Sequence, residues 1–433
     1  MASRYLSINP VTSQNLRRLA LFLAMLMSGG NLVFPRLPLM IGILALCLLC
    51  KGITLGVRRE MAPIGLVLMG VLVVAILGYE GIDLVAVATR YANFIVGIAL
   101  LGLYLTEPRD TISKDLLPIF RLMGVQAFLT IVLALFASDL FSPRLVEDTV
   151  YYTVFWVFTY HVTIASDTGL VRPDGFFFEP SAFQIYMNLF LFISLFITRK
   201  RTDIFMALAS VVLVQSTVGI VIGLFLVTAY YSLKFKASGL VARFLLLAVA
   251  PFVVMPLLVI ASMNLESKIT GDYRGSTWAR QYDFYTGLNV IKANPLFGIG
   301  FDYERYKTEA RRVGYDAGEL DFSATADRTN SNGLLMLLIS IGIPMALPFL
   351  FAMFRQRFFN PGLVFGVLLG LAFMGQAVML TPFFLMIIFS AMLSSTKSAA
   401  LARDSRDGAR PGTVAGSAGR GLRPATSLHH HST

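Results

Sequence analysis

Residues 172–181 read Arg-Pro-Asp-Gly-Phe-Phe-Phe-Glu-Pro-Ser, and an apolar run from 182 to 197 follows directly. This stretch places Arg172, Asp174 and Glu179 at the mouth of a segment long enough to help cross a bilayer. Charge at the entrance of a membrane helix is costly to desolvate, so it usually serves a function. The alternative is a polar helix cap, in which Glu179 and Ser181 accept hydrogen bonds from first-turn amides. The residue types alone leave both interpretations open.

The composition indicates a polytopic membrane protein. Of the 433 residues, 56% are hydrophobic and only 14% are charged, whereas a soluble protein carries about 25% charged residues. The mean hydropathy is +0.71. The net charge of +11 is explained by lysine and arginine in cytoplasmic loops. We therefore expect membrane lipids around the chain and no nucleic-acid partner.

The sequence offers no recognisable cofactor or metal site. Its two cysteines, Cys47 and Cys50, share one apolar run, and His161 is the only histidine outside residues 429–431. This set cannot hold zinc or build a disulfide framework. The pattern Gly298-Ile299-Gly300 lacks the third glycine of a dinucleotide fingerprint, and no Walker loop is present. We expect no cofactor and no metal.

Apolar runs separated by charge predict an all-α protein with about twelve transmembrane helices and both termini in the cytoplasm. Residues 150–164 are aromatic and amphipathic and are expected to lie in the membrane interface or to dip back into the membrane. The predicted organisation is N-terminal transmembrane helices (1–137), a first outer segment (138–180), transmembrane helices with a broken hairpin (181–263), a large outer loop (264–332), C-terminal transmembrane helices (333–396) and a disordered cytoplasmic tail (397–433).

The broken hairpin is predicted from charge. Residues 204–233 are apolar, yet basic residues lie at both ends, at 199–201 and at Lys234 and Lys236. One helix cannot have both ends in the cytoplasm. The sequence therefore predicts two short helices that meet at residues 215–217, where surrounding protein satisfies the broken backbone. The alternative is one tilted helix that violates the charge rule.

The large outer loop carries the second candidate binding cluster. Arg274 and Arg280 could converge if the chain turns between them, and Trp278 and Tyr282 lie close by. Guanidinium groups pair with phosphate oxygens in a two-point geometry, and aromatic faces pack on the C–H surfaces of sugars. This pattern suits a sugar phosphate. The alternative is a surface loop with ordinary salt bridges.

Four short motifs appear in order between residues 172 and 342. They are Arg172-x-x-Gly175-x-x-x-Glu179-Pro180, Ser216-Thr217-x-Gly219, Arg274 and Arg280 before Asn294-Pro295-Leu296-Phe297-Gly298-Ile299-Gly300, and Ser331-Asn332-Gly333-Leu334-Leu335 before Gly342. In this order the chain resembles the O-antigen ligase and polysaccharide polymerase family of bacterial inner-membrane glycosyltransferases. The Glu-Pro form, the length and the two-loop layout are similar to an exopolysaccharide polymerase of the xanthan type.

The resemblance implies a GT-C-like fold in the bacterial inner membrane, with the active site facing the periplasm. Such enzymes transfer a glycan from an undecaprenyl-diphosphate carrier, and a polymerase transfers it to the next lipid-linked repeat unit. A chain-length regulator and export machinery are further candidate partners. The family's arginines, which hold the diphosphate, would correspond to Arg172, Arg274 and Arg280. Where ligases carry a His-Asn pair, this chain has Ser331 and Asn332, which leaves Glu179 as the candidate base and Asn332 as a candidate substrate-binding residue.

Two other functions stay open at this stage. A ligase would transfer the glycan to a lipid or protein acceptor, and the sequence does not separate these acceptors. A transporter of lipid-linked oligosaccharide would favour charged residues spread along several spans. Here Arg90 and Arg121 are the main examples, and both can lie near helix ends.

Overall fold

The computed structural model describes residues 10–30, 34–51, 59–77, 84–146, 149–161, 171–237, 239, 274–314 and 329–394. The predicted span at 244–263 and the tail at 397–433 lie outside the described residues. The helices within these ranges are α1 (Pro10–Gly29), α2 (Arg36–Lys51), α3 (Ala62–Leu77), α4 (Leu84–Tyr104), α5 (Thr111–Phe136), α6 (Pro180–Phe192, continued by a π-helical turn, Ile193–Thr198), α7 (Arg201–Leu213), α8 (Thr217–Ala237), α9 (Arg274–Ala293), α10 (Tyr303–Val313), α11 (Gly333–Arg355), α12 (Gly362–Gly375) and α13 (Pro382–Ala391).

Within the described ranges, five helices are long and apolar enough to cross a membrane. They are Leu84–Tyr104, Thr111–Phe136, Pro180–Thr198, Thr217–Lys236 and Gly333–Arg355. Four shorter apolar helices, α2, α3, α12 and α13, accompany them. The coarse prediction of a helical, multi-pass membrane protein is therefore confirmed by length and composition.

Two helices form the centre of the described core. In α6 and its continuation every residue from 182 to 195 is buried, and in α13 every residue from 382 to 390 is buried. Tyr186 of α6 donates a hydrogen bond to the Met25 carbonyl oxygen of α1 at 3.0 Å, and its ring stacks on Phe177 with centroids 4.9 Å apart. The start of α6 is therefore fixed from several sides, which holds the preceding residues 172–179 in place.

The segment expected to lie in the interface instead forms a small antiparallel sheet. Its strands are β1 (Ser142–Val146), β2 (Thr149–Val154) and β3 (Phe158–His161), with β2 in the middle. β2 reads Thr-Val-Tyr-Tyr-Thr-Val, and such β-branched and aromatic residues favour strands. Its centre alternates between buried and half-buried side chains. The all-α prediction missed this sheet because the aromatic content was interpreted as amphipathic membrane contact.

The apolar stretch from 204 to 233 is broken where the charge pattern predicts. α7 ends at Leu213 and α8 begins at Thr217, and Gln215 between them has a φ of 52°. The Gln215 amide donates to the Val171 carbonyl oxygen at 3.4 Å. The Ser216 hydroxyl accepts a hydrogen bond from the Gly219 N–H at 3.5 Å. The break therefore contacts the start of the 172–181 stretch.

A second backbone break lies in α11 at Gly342, where φ is 72° and ψ is 167°. The loop between α9 and α10 pairs with this break. The Ile299 N–H donates to the Ile339 carbonyl oxygen at 2.7 Å, the Gly300 N–H to Ser340 at 3.0 Å, and the Ile343 N–H to Pro295 at 2.9 Å. The 294–300 motif thus satisfies backbone groups that the break leaves without helical partners.

Candidate functional site

A polar cavity of about 790 Å³ lies where the 172–181 stretch meets the ends of several helices. Among the described residues, the charged ones that line it are Glu179 and three arginines, Arg36, Arg90 and Arg280. Residues from the C-terminal end of α1, the N-terminal part of α11 and the connection between α12 and α13 complete the wall. In this described part of the wall, three cations outnumber one carboxylate, which suits an anionic ligand.

Glu179 occupies the cap position of α6 but does not cap it. Its backbone is extended, and its side chain accepts no hydrogen bond from the backbone N–H groups of the first helical turn. The carboxylate instead accepts hydrogen bonds from the Ser181 hydroxyl and, at 3.0 Å, from the Gln376 amide. The Gln376 amide also donates to the Ser181 hydroxyl at 2.6 Å. The carboxylate is therefore oriented at the cavity wall by side chains and not by the helix amides.

The small sheet holds the 172–181 stretch in position. The Asp174 N–H donates to the Thr159 carbonyl oxygen at 2.9 Å, and the Phe178 N–H donates to Gly30 at 3.0 Å. The Tyr151 hydroxyl donates to the Phe178 carbonyl oxygen at 2.9 Å. These bonds fix the backbone on the N-terminal side of Glu179, so the carboxylate is supported by β2, β3 and the end of α1.

Asp174 is fully buried beneath this stretch and pairs with His161. The His161 Nδ1 atom lies 2.9 Å from both Asp174 carboxylate oxygens. Burial raises the pKa of Asp174 to about 7, although the hydrogen bond and charge of His161 act in the opposite direction. Asp174 does not line the cavity. We interpret the pair as a support for the 172–181 stretch.

This raised pKa predicts a dependence of stability on pH. Because the folded carboxyl group ionises less readily than the unfolded one, the folded state holds an extra proton between about pH 4 and about pH 7. The unfolding free energy should therefore fall as the pH rises through that window, by about 1.4 kcal/mol per unit of pKa difference. Asp174→Asn should remove this slope. Melting temperatures at pH 4 to 8 test it, with exposed Asp139 changed to Asn as the control, and parallel curves for wild type and Asp174→Asn would contradict it.

Of the three arginines predicted to bind phosphate, only Arg280 is among the described residues that line the cavity. The other two are Arg172 and Arg274. Arg172 is not among the lining residues, and its Nε atom is buried without a hydrogen-bond partner. Its charge lies close enough to Asp174 to favour the carboxylate form. Arg274 is the first residue of α9, and its side chain lies outside the described part of the chain.

The other predicted binding residues are not among the residues that line the cavity. Trp278 and Tyr282 are both on α9; Trp278 is 39% exposed and Tyr282 is buried. The Asn332 side chain caps α11 by accepting hydrogen bonds from the Leu334 and Leu335 N–H groups, each at 3.1 Å. The cap positions the neighbouring Ser331, which does line the cavity.

Sequence reasoning missed several residues that shape the site. Buried Asp283 accepts hydrogen bonds from the Ser331 hydroxyl at 2.6 Å and the Ser331 N–H at 3.1 Å, and so ties α9 to the start of α11. Gln376 lies about 200 positions from Glu179 in the chain, and no local pattern marks it. No sequence pattern marks Arg36 as a cavity residue. Arg90 could have been found from the sequence, because it is the only charged residue in the apolar sequence of α4.

The other membrane arginine noted in the sequence, Arg121, has a structural role. It pairs with Asp203 through two hydrogen bonds of 2.9 Å, which join α5 to α7. Among the described residues Arg90 has no such carboxylate partner, and its guanidinium lies 6.0 Å from the Phe301 ring centroid. Only one of the two arginines is therefore available to a ligand.

The fold and the cavity define a helical, multi-pass membrane protein with a cationic pocket that also holds one oriented carboxylate. The chain matches no family model, no curated protein and no solved structure.

Proposed function

We propose that this protein is a membrane glycosyltransferase that polymerises lipid-linked oligosaccharide repeat units into exopolysaccharide. The single observation that carries the proposal is that Glu179 and Arg280, predicted as base and phosphate ligand from separate segments, line one cavity. The substrate would be an oligosaccharide on undecaprenyl diphosphate, in keeping with the family resemblance of residues 172–342.

In the proposed reaction, a hydroxyl oxygen of the acceptor repeat unit attacks the anomeric carbon of the donor glycan. The bond between that carbon and the diphosphate oxygen breaks, and the hydroxyl proton passes to Glu179. The diphosphate leaves with the bonding electron pair, and Arg280 stabilises its developing charge. A carboxylate oriented by Ser181 and Gln376 suits the role of general base. Among the described residues no histidine lines the cavity, which favours the carboxylate over a histidine base.

We further propose a GT-C-like arrangement of about twelve spans in the bacterial inner membrane, with the cavity open to the periplasm. The described helices supply the five long spans and several shorter ones. The basic residues that flank α7 and α8 support a cytoplasmic location for that end of the hairpin.

A labelling experiment tests this topology. Arg144 on β1 and Arg201 at the start of α7 are both exposed, and they should lie on opposite sides of the membrane. Single cysteines at these positions, in a chain without Cys47 and Cys50, are expected to react with an impermeant thiol reagent from the periplasm and the cytoplasm respectively. Labelling of both from the same side would contradict the proposed arrangement.

The function is tested by supplying the purified protein with a lipid-linked repeat unit. A polymerase is expected to produce a ladder of dimers and longer glycans on the carrier. Transfer to another lipid or a protein, without a ladder, would indicate the ligase instead. Movement of intact lipid-linked units across vesicles without new glycosidic bonds would indicate a transporter. Partner proteins such as a chain-length regulator can be added afterwards to see whether they change the ladder's length.

A further inference from the structure

Arg90 is the first of three cavity residues that the proposed reaction does not use. It lies six positions into α4, about 9 Å from the helix start at 1.5 Å per residue. A charge at that depth in an apolar helix is costly unless it faces a polar cavity or a partner. Arg90 lines the cavity, and among the described residues it forms no salt bridge. The Arg90 guanidinium is therefore not paired directly with a carboxylate of the described residues.

Arg36 brings a second cation to the same place. It is the first residue of α2 and also lines the cavity, and no described carboxylate pairs with it. A cation at a helix N-terminus opposes the helix dipole, and Arg36 lines the same cavity as Arg90. Two arginines in one cavity, one of them exposed at a positive helix end, favour the binding of an anion between them.

Asn93 adds an observation of a different kind. It lies one turn beyond Arg90 on α4, is 6% exposed and lines the cavity. Its side-chain oxygen is buried and has no hydrogen-bond partner. A buried acceptor without a partner costs free energy, and a ligand hydroxyl could satisfy it. The ligand at this place should therefore carry both an oxyanion and hydroxyl donors.

We propose that Arg36, Arg90 and Asn93 form a subsite for an anionic sugar, in which the guanidiniums bind the oxyanion and the Asn93 oxygen accepts a sugar hydroxyl. The inference rests on the proposed function, because it assigns part of the same cavity to a lipid-linked glycan. The oxyanion is the phosphate attached to a sugar or the carboxylate of a uronate residue. Both present oxygens that match the guanidinium fork.

Binding to the purified full chain tests this subsite. The probes are glucose 1-phosphate, methyl glucuronide, inorganic pyrophosphate and the neutral methyl glucoside. We expect at least one anionic sugar to bind better than methyl glucoside, and Arg36→Gln or Arg90→Gln to weaken that binding about 10-fold. Preference for glucose 1-phosphate assigns the oxyanion to a phosphate, and preference for methyl glucuronide assigns it to a uronate.

Asn93→Leu separates the hydroxyl contact from the charge contact. It should weaken binding of the preferred anionic sugar about 5-fold and leave pyrophosphate binding unchanged, since pyrophosphate has no sugar hydroxyl. Arg144→Gln is the matched control, because it removes one exposed arginine outside the cavity. If Arg90→Gln does not fold, Arg90→Lys, which keeps the charge without the fork, should weaken binding several-fold.

The subsite is overturned if the arginine variants bind like Arg144→Gln, or if no anionic sugar binds better than methyl glucoside. These outcomes are distinguishable from failure of the proposed function, because binding is measured without turnover. A wild-type protein that binds through Arg36 and Arg90 but builds no glycan ladder would keep the subsite and reject the polymerase. If the protein builds a glycan ladder but its sugar binding is unchanged in the Arg36 and Arg90 variants, the polymerase is kept and the subsite is rejected.

Discussion

Glu179→Gln is expected to lower turnover by about 10²–10⁴-fold while the protein stays folded. The change preserves the size of the side chain and its capacity for hydrogen bonds, but an amide cannot take the acceptor proton. Because the Glu179 carboxylate caps no helix amide, little folding energy depends on its charge. The melting temperature should therefore change little, and glycan transfer per folded molecule is the quantity to measure.

The control for this experiment is Glu304→Gln, which makes the same chemical change at an exposed glutamate of α10. It should leave turnover unchanged. If Glu179→Gln keeps full activity per folded molecule, Glu179 is not the base. If it mainly lowers the melting temperature, the carboxylate serves the local hydrogen bonds with Ser181 and Gln376 and the proposed mechanism has to be abandoned.

Gly342→Ala is expected to cause the largest loss of stability, roughly 3–5 kcal/mol. The φ of 72° and ψ of 167° at this position are accessible almost only to glycine. An added Cβ atom would lie 2.2 Å from the Leu296 carbonyl oxygen, a backbone atom that cannot move without breaking the paired loop. Activity should fall as well, because the same pairing positions Ser340 at the cavity wall.

Gly65→Ala is the matched control for that substitution. Gly65 lies within α3, and an added Cβ atom would meet no other atom within 4 Å. Alanine favours a helix over glycine by about 1 kcal/mol, so this variant should be as stable as wild type or slightly more stable. Thermal unfolding in detergent and the yield of folded protein compare the two. Equal behaviour of both variants would contradict the structural role assigned to Gly342.

The sequence by itself determined the class of protein and some local features. Apolar runs flanked by charged residues indicate membrane-spanning segments, because the bilayer core excludes charged side chains from lipid-facing positions. The same rule predicted a break, placed at residues 215–217, since basic residues flank both ends of the apolar stretch. The local sequence also marked Glu179 as a candidate functional residue, because it directly precedes Pro180 and the start of an apolar helix.

Only the tertiary structure decided which side chains share the cavity and which serve the fold. Gln376 and Asp283 position the site through contacts with residues far away in the chain, and no periodic pattern records such contacts. Arg90 and Arg121 both lie in apolar sequence, but helix packing places Arg121 against the Asp203 carboxylate and Arg90 at the cavity wall. Local patterns specify burial and secondary structure, whereas the convergence of charges depends on how the helices pack, and that depends on the whole chain.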